Sequence, residues 1–254
     1  MSIVLRENEW AEQMIESRSL GKKPSETLRR VARYYLDKSY SEKETRKRLE
    51  MFLLQCDSSA SITKWDAALT SAIKYAKKFP SISIDGIDIS KAEMETVDSI
   101  EGKQIRRLAF TLLCLAKYHT AVYPDCDYWV NDRDSAIMSM ANIRTSIRRQ
   151  SAMYWTLREL GLIRFSKKID NTNVKVCFVN GDDVALRVTD FRNLGYQYMM
   201  YHGEPFFECC NCGLVTKMDN PGIGRRQKYC KQCAIEIAVQ SKVNYVMRKK
   251  SLVC

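Results

Sequence analysis

Histidine is nearly absent from this chain. Only His119 and His202 occur among 254 residues, which leaves little room for catalysis built on imidazole. Proline and glycine are scarce too, at 5 and 10, while 45% of the residues are hydrophobic and 28% charged. That balance belongs to a chain that folds, not to a disordered one. There is no run of about twenty apolar residues, and the opening MSIVLRENEWAEQ carries charge where a signal peptide needs an apolar stretch. The expected compartment is therefore the cytoplasm. P-loop, GxGxxG and GxSxG motifs are also missing. The common ATPase, dehydrogenase and hydrolase chemistries are disfavoured, and the expectation is a protein that is not an enzyme.

What the chain has in excess is positive charge. Its 41 lysines and arginines outnumber 30 acidic residues, a net charge of +11 with a pI near 9.1. Charge of that sign attracts phosphate polymers or anionic lipid. Ten cysteines in a reducing compartment are better assigned to metal ligation and to the core than to disulfides.

Periodicity predicts a mainly α protein with small β elements. In residues 24–80, Leu28, Val31 and Tyr35, then Leu49, Phe52 and Leu53, then Trp65, Leu69, Ile73 and Ala76 recur at helical spacing. Helix starts are expected at Ser25, at Ser41 with capping-box partner Glu44, and near Thr63. The result is a three-helix N-terminal domain over 1–80, its basic residues on a solvated outer face. Residues 81–101, with Pro80 before them and Asp85-Gly86 within, predict a connector with room for a short hairpin.

From Lys103 to Tyr118 one face is strongly apolar, with Cys114 a small core residue. A short extended piece follows, then a helix from Asp134 or Ser135 that turns Ile137, Met140 and Ala141 inward. Thr145 or Ser146 is placed to cap a third helix, whose Ile147, Tyr154, Leu157 and Leu160 recur at helical spacing before Gly161. LIRFSKKI and NVKVCFV then alternate as a hairpin around Asp170 to Asn173.

Helix, extended piece, helix, helix and a basic hairpin, with the phrase LRELGLIRF, resembles the winged helix-turn-helix family over residues 102–181. The resemblance implies DNA binding. Thr145, Ser146, Arg148, Arg149 and Gln150 would begin the major-groove helix, where Arg pairs with guanine and Gln with adenine. Lys167, Lys168, Asn171 and Asn173 would sit in the wing, against phosphate or the minor groove. RNA, or a protein partner alone, is the competing expectation.

After a connecting segment at 182–205, residues 206–254 hold the most specific motif. Cys209 with Cys212 and Cys230 with Cys233 each leave two residues between thiols, the spacing that turns two sulfurs onto one tetrahedral ion. One structural zinc is expected, because four thiolates leave no open coordination position. Cys210 competes for the shell, and only Cys209 keeps the CxxC spacing. Gly213 after the first pair, and Ile235, Val239, Val243 and Val246 at helical spacing after the second, resemble a treble-clef zinc finger. Arg225, Arg226 and Lys228 stand beside it as further candidate phosphate contacts.

A winged helix joined to a terminal cysteine finger resembles phage and mobile-element proteins in style. That likeness implies a duplex DNA-binding regulator or replication accessory acting in a host cytoplasm. The rival expectation is an interaction protein that acts on a nucleoprotein complex, such as an inhibitor of a host defence system. Asp125, Asp127, Asp132 and Asp134 could in principle bind magnesium, but no histidine or lysine of a recognised nuclease motif lies alongside them, and the expectation is a polar loop ending in a helix cap.

Overall fold

The computed structural model describes residues 3–167, 173–219 and 227–251, with the side chains of the last helix through Tyr245. The protein is mainly α with small β elements. It divides into two compact units, Met1–Gly86 and Ile87–Cys254. Among the described residues no helix is long and apolar enough to cross a membrane.

The first unit has four helices, one more than its apolar periodicity predicts: α1 (Glu7–Glu16), α2 (Pro24–Asp37), α3 (Glu42–Cys56) and α4 (Ile62–Lys78). Leu28, Val31, Leu49, Phe52, Leu53 and Leu69 fill its core at 0–1% exposure. Ser41 and Glu44 form the expected capping box at the start of α3. α2 begins one residue before Ser25, because Pro24 takes the first helical position, where its missing N–H costs nothing.

α1 packs Trp10, Ala11 and Ile15 against that core, and a buried acid anchors its start. Glu7 is 2% exposed, accepts from Arg30 Nε at 3.1 Å, and pairs with the equally buried Arg33. Those two arginines belong to the core and not to the expected outer face. Trp10 lies under the Arg30 guanidinium, and Tyr75 under that of Arg33. The same carboxylate accepts from the Ile82 N–H at 3.2 Å, and Ile84 N–H donates to the Leu5 carbonyl at 2.9 Å. Residues 82–84 are thus tied back onto the start of α1.

The rest of the expected connector belongs to the second unit. β1 (Ile87–Ser90) leads into α5 (Lys91–Asp98), and β1 pairs antiparallel with the distant β5 (Val184–Val188), so it makes no local hairpin. Glu93 locks this corner. Its fully buried carboxylate accepts from the Ser90 N–H at 2.7 Å, the Asn180 N–H at 3.1 Å and Lys117 Nζ at 2.8 Å. Lys117 lies on α6 (Lys103–Val122), the central helix, whose residues 108–116 are all buried. An apolar stripe alone would leave one side wet, whereas this middle stretch of the helix is covered all round.

Around α6 lie β2 (Trp129–Val130), α7 (Asp134–Met140), α8 (Ile147–Glu159), β3 (Ile163–Phe165) and β4 (Val174–Val176), with the three strands antiparallel in the order β2-β4-β3. On α7 the inward residues are Ile137 and Met138, with Met140 only half-buried. On α8 they are Met153, Tyr154 and Leu157, while Ile147 is 81% and Leu160 54% exposed. The face of α8 that meets the core is therefore narrower than its sequence spacing suggests.

α9 (Leu194–Tyr201) occupies the stretch read as a connecting segment, followed by a hairpin of β6 (Phe206–Glu208) and β7 (Val215–Lys217) and by α10 (Lys231–Ser251). α9 begins against the end of α7, where a Cβ on Gly195 would sit 2.0 Å from the Ala141 carbonyl oxygen. Only glycine permits that approach. Asn142 and Asn193, both at positive φ, flank the contact, and Asn142 Nδ2 donates to Asn193 Oδ1 at 2.9 Å.

Candidate metal centre and basic surface

The four cysteine sulfurs come together from two kinds of turn. Cys209 and Cys212 lie in the tight turn between β6 and β7, closed by Gly213 N–H donating to the Cys209 carbonyl at 2.8 Å, with Gly213 at φ +69°. Cys230 immediately precedes α10 and Cys233 lies in its first turn. Each helix start presents unpaired N–H groups and a partial positive charge, which favours thiolate.

All four ligand atoms lie within 4.8 Å of one another, and Cys212 Sγ and Cys230 Sγ are 3.9 Å apart. A tetrahedron of thiolates at about 2.3 Å from one ion sets its sulfurs about 3.8 Å apart. The cluster therefore has the size of a four-thiolate metal site. Among the described residues no other group of three or more His, Cys, Asp or Glu side chains gathers in this way. Cys209 is 2% exposed and inside the cluster, whereas Cys210 is exposed and outside it.

The local electrostatics also call for a cation. Burial disfavours a charged Cys209 sulfur, but the N–H groups of Cys230, Cys212 and Asn211 overcome it and draw the pKa down to about 6. The Asn211 amide donates to Cys233 Sγ at 3.4 Å and lowers that thiol, yet burial and the other sulfurs push it up to about 12. Burial raises Cys212 as well. One thiolate forms readily and then opposes the rest. A bound cation removes the conflict, since coordination deprotonates a thiol outright.

The surrounding chain holds the cluster in place. Arg192, paired with Asp190, donates to the Cys212 carbonyl, and Asn193 Nδ2 donates to the Val215 carbonyl at 2.9 Å. Tyr196 and Phe206 stack at 4.7 Å between ring centres. These residues connect the cysteine hairpin to α9 and, through Asn142, to the end of α7. No spacing rule singles out Arg192 or Asn193, because their contacts run to backbone carbonyls twenty or more residues away.

The second candidate surface is built on α8 and the β3-β4 hairpin. Ser146 caps α8, its Oγ accepting from the Arg149 N–H at 3.4 Å. Gln150 Nε2 donates back to the Thr145 carbonyl at 3.1 Å, so this amide is engaged within the helix start. Arg144, Arg148, Arg149, Arg164 and Lys167 are exposed. Among the described residues none of the five is in an ion pair. Asn173 is half-buried and Lys228 exposed. Lys168, Asn171, Arg225 and Arg226 lie outside the described residues.

The acidic loop does not assemble a site. Asp127 pairs with Lys175, Asp132 lies 2.6 Å from His119 Nε2, and Asp134 accepts from the Tyr154 hydroxyl at 3.4 Å. Sequence reasoning missed a cleft on this side, lined by Asp134, Ser151, Tyr154, Trp155, Phe165 and Val174, with a volume of about 200 Å3. Its signal was present: Trp155 stands two four-residue steps from Ile147, off the core face. No protein-family model, curated protein or solved structure matches the chain.

Proposed function

We propose that the protein binds nucleic acid, with double-stranded DNA the preferred form, through the start of α8 and the β3-β4 hairpin. The carrying observation is the set of five exposed cations that form no ion pair among the described residues. On the same helix and hairpin Arg158 pairs with Glu159 and Lys175 with Asp127, which leaves these five as the local excess of positive charge. Its counterpart is a polyanion. The order α6, β2, α7, α8, β3, β4 with sheet order β2-β4-β3 is compatible with the winged-helix resemblance of the sequence, and on that reading α8 is the groove-entering helix.

The four cysteines hold one zinc ion in this reading. Thiolates alone, in a tetrahedral set with no vacant position, suit zinc in a structural role. The ion's task is to fix the β6-β7 turn against the start of α10, and no reaction step runs through it. Elemental analysis of the purified protein is expected to give one zinc per chain.

Binding of a labelled duplex across a salt series tests the main reading. Affinity is expected to fall steeply between 50 and 200 mM salt, with a log-log slope that loses about one unit per phosphate-contacting cation removed. Salt-insensitive binding, or none, would overturn it. A protein partner is the second reading, favoured by α10, where Ile235, Val239, Val243 and Tyr245 are 46–61% exposed.

A further inference from the structure

The cleft between α8 and the β3-β4 hairpin has the walls of a site for one flat ring. Trp155 is 52% exposed and meets Phe165 edge to face, with 5.6 Å between ring centres and 74° between planes. Arg158 covers the indole at 4.6 Å, and Val174, the cross-strand partner of Phe165, completes the apolar side. At ~30 Å3 per water the cleft has room for roughly six or seven waters. That falls below the ~300 Å3 where drug-sized pockets begin, and it suits a single ring system with its substituents left outside.

The polar side selects among rings. Asp134 is an acceptor, and among the described residues only its Oδ1 accepts, from the Tyr154 hydroxyl at 3.4 Å. A carboxylate offers about four acceptor positions, so capacity for two parallel N–H donors remains. Among nucleobases guanine alone presents adjacent ring N–H and amino donors on one edge. Adenine and cytosine present an amino group beside a ring acceptor, which a carboxylate repels, and uracil presents a single N–H between carbonyls. Arg148, one turn before Ser151 on α8, stands on the same side of the helix as the cleft and is in no ion pair among the described residues. It is suited to the phosphate that such a base carries.

We infer that this cleft receives an unstacked guanine base, held by Trp155 and Phe165 on its faces and edge and by Asp134 on its donor edge. The inference deepens the nucleic-acid reading by adding an extrahelical base to the phosphate contacts. Base and aromatic side chain stack at about 1–3 kcal/mol, and the carboxylate adds discrimination.

The test uses the full-length protein and two sets of probes. The first is GMP, AMP, CMP and UMP, followed by tryptophan fluorescence and by the indole N–H resonance that Trp155→Phe assigns. The second is a DNA duplex with a single bulged deoxyguanosine, compared with bulged deoxyadenosine, bulged thymidine and the fully paired duplex. Binding of guanine at least tenfold above the other bases is expected, with a tenfold or greater loss in Trp155→Ala. In Asp134→Asn the preference is expected to collapse below threefold while stacking persists. Trp155 is exposed enough for its truncation to leave the fold intact, which circular dichroism checks. A preference seen only with the bulged duplex assigns the base to nucleic acid, and one seen only with GMP assigns it to a free nucleotide and removes the nucleic-acid half of the inference. No base preference in either set, or unchanged preference in both variants, overturns the site. The fully paired duplex separates the outcomes, because its salt-sensitive binding stands or falls with Arg148 and Arg149, not with Trp155.

Discussion

The helical bundle of the first unit and the α8 hairpin of the second are both rich in arginine, and they use it in opposite ways. In the bundle Arg30 and Arg33 are buried on Glu7, Arg46 reaches Glu50 and Asp66, and Lys77 reaches Glu42. Around α8 and its hairpin Arg144, Arg148, Arg149, Arg164 and Lys167 face water and form no ion pair among the described residues, while Arg158 and Lys175 are paired. Buried arginines thus serve cohesion in the bundle, while those at the start of α8 leave positive charge facing water. Burial on an acid, not net charge, separates the two groups.

The largest expected effect falls on the module joined to that basic surface. Structural zinc contributes an apparent 10–16 kcal/mol to folding of zinc-finger peptides at about neutral pH, so stripping it, or replacing Cys209 with Ser, is expected to unfold the segment from β6 to α10. Metal content by elemental analysis should drop from one ion per chain to a small fraction. Amide exchange should lose protection over 206–217 and 230–240 while the bundle keeps its own. Full protection with no metal bound would refute a structural ion.

Next comes the acid that cancels charge in the bundle. Glu7→Gln leaves two buried guanidiniums without a counter-charge, and removing one partner of a buried pair costs about 3–5 kcal/mol. Chemical denaturation followed by circular dichroism should show an early transition from the first unit alone. Duplex binding should be unaffected. A loss below about 1 kcal/mol would mean that these arginines behave as surface residues, and the contrast between the regions would fail.

That acid also shows where sequence reading stops. The capping box at Ser41 and Glu44, the glycine after α8 and the four-cysteine spacing are local patterns, and each was readable because its partners lie within four residues or in a repeated motif. Glu7 looks like any first-turn glutamate until Arg30 and Arg33 arrive from another helix. β1 reads as a connector because its partner, β5, lies near Val188. On α8 periodicity counted Ile147 and Leu160 as core, but counting cannot tell which end of a helix finds a neighbour. The cleft at Trp155 needed the hairpin folded beside it.

Arg148→Ala and Arg149→Ala probe the unpaired side of the comparison. Each is expected to weaken duplex binding by about 1–3 kcal/mol, to lower the salt slope by about one unit, and to leave the melting of the bundle unchanged. Arg46→Ala, a matched loss of one positive charge from a paired site, should leave the slope where it was. Equal losses from all three would reduce the binding to net charge.

The smallest effect is the most discriminating. α3 begins with Glu42, a capping box and Glu44, acids that suit the positive end of a helix. α8 begins with a single cap, no acid in its first turn, and arginines at its second and third positions, where they oppose the same dipole. The start of α8 is thus less stable than it would be without its arginines, and a phosphate set against it relieves that opposition. Arg149→Glu is therefore expected to raise the stability of the second unit by about 0.3–1 kcal/mol while it reduces duplex binding by more than the alanine variant does. Denaturation of the free protein measures the first effect, and a duplex titration at fixed salt measures the second. If the glutamate variant is instead less stable, Arg149 supports the fold, as Arg33 does in the bundle, and its exposure is not held open for a ligand.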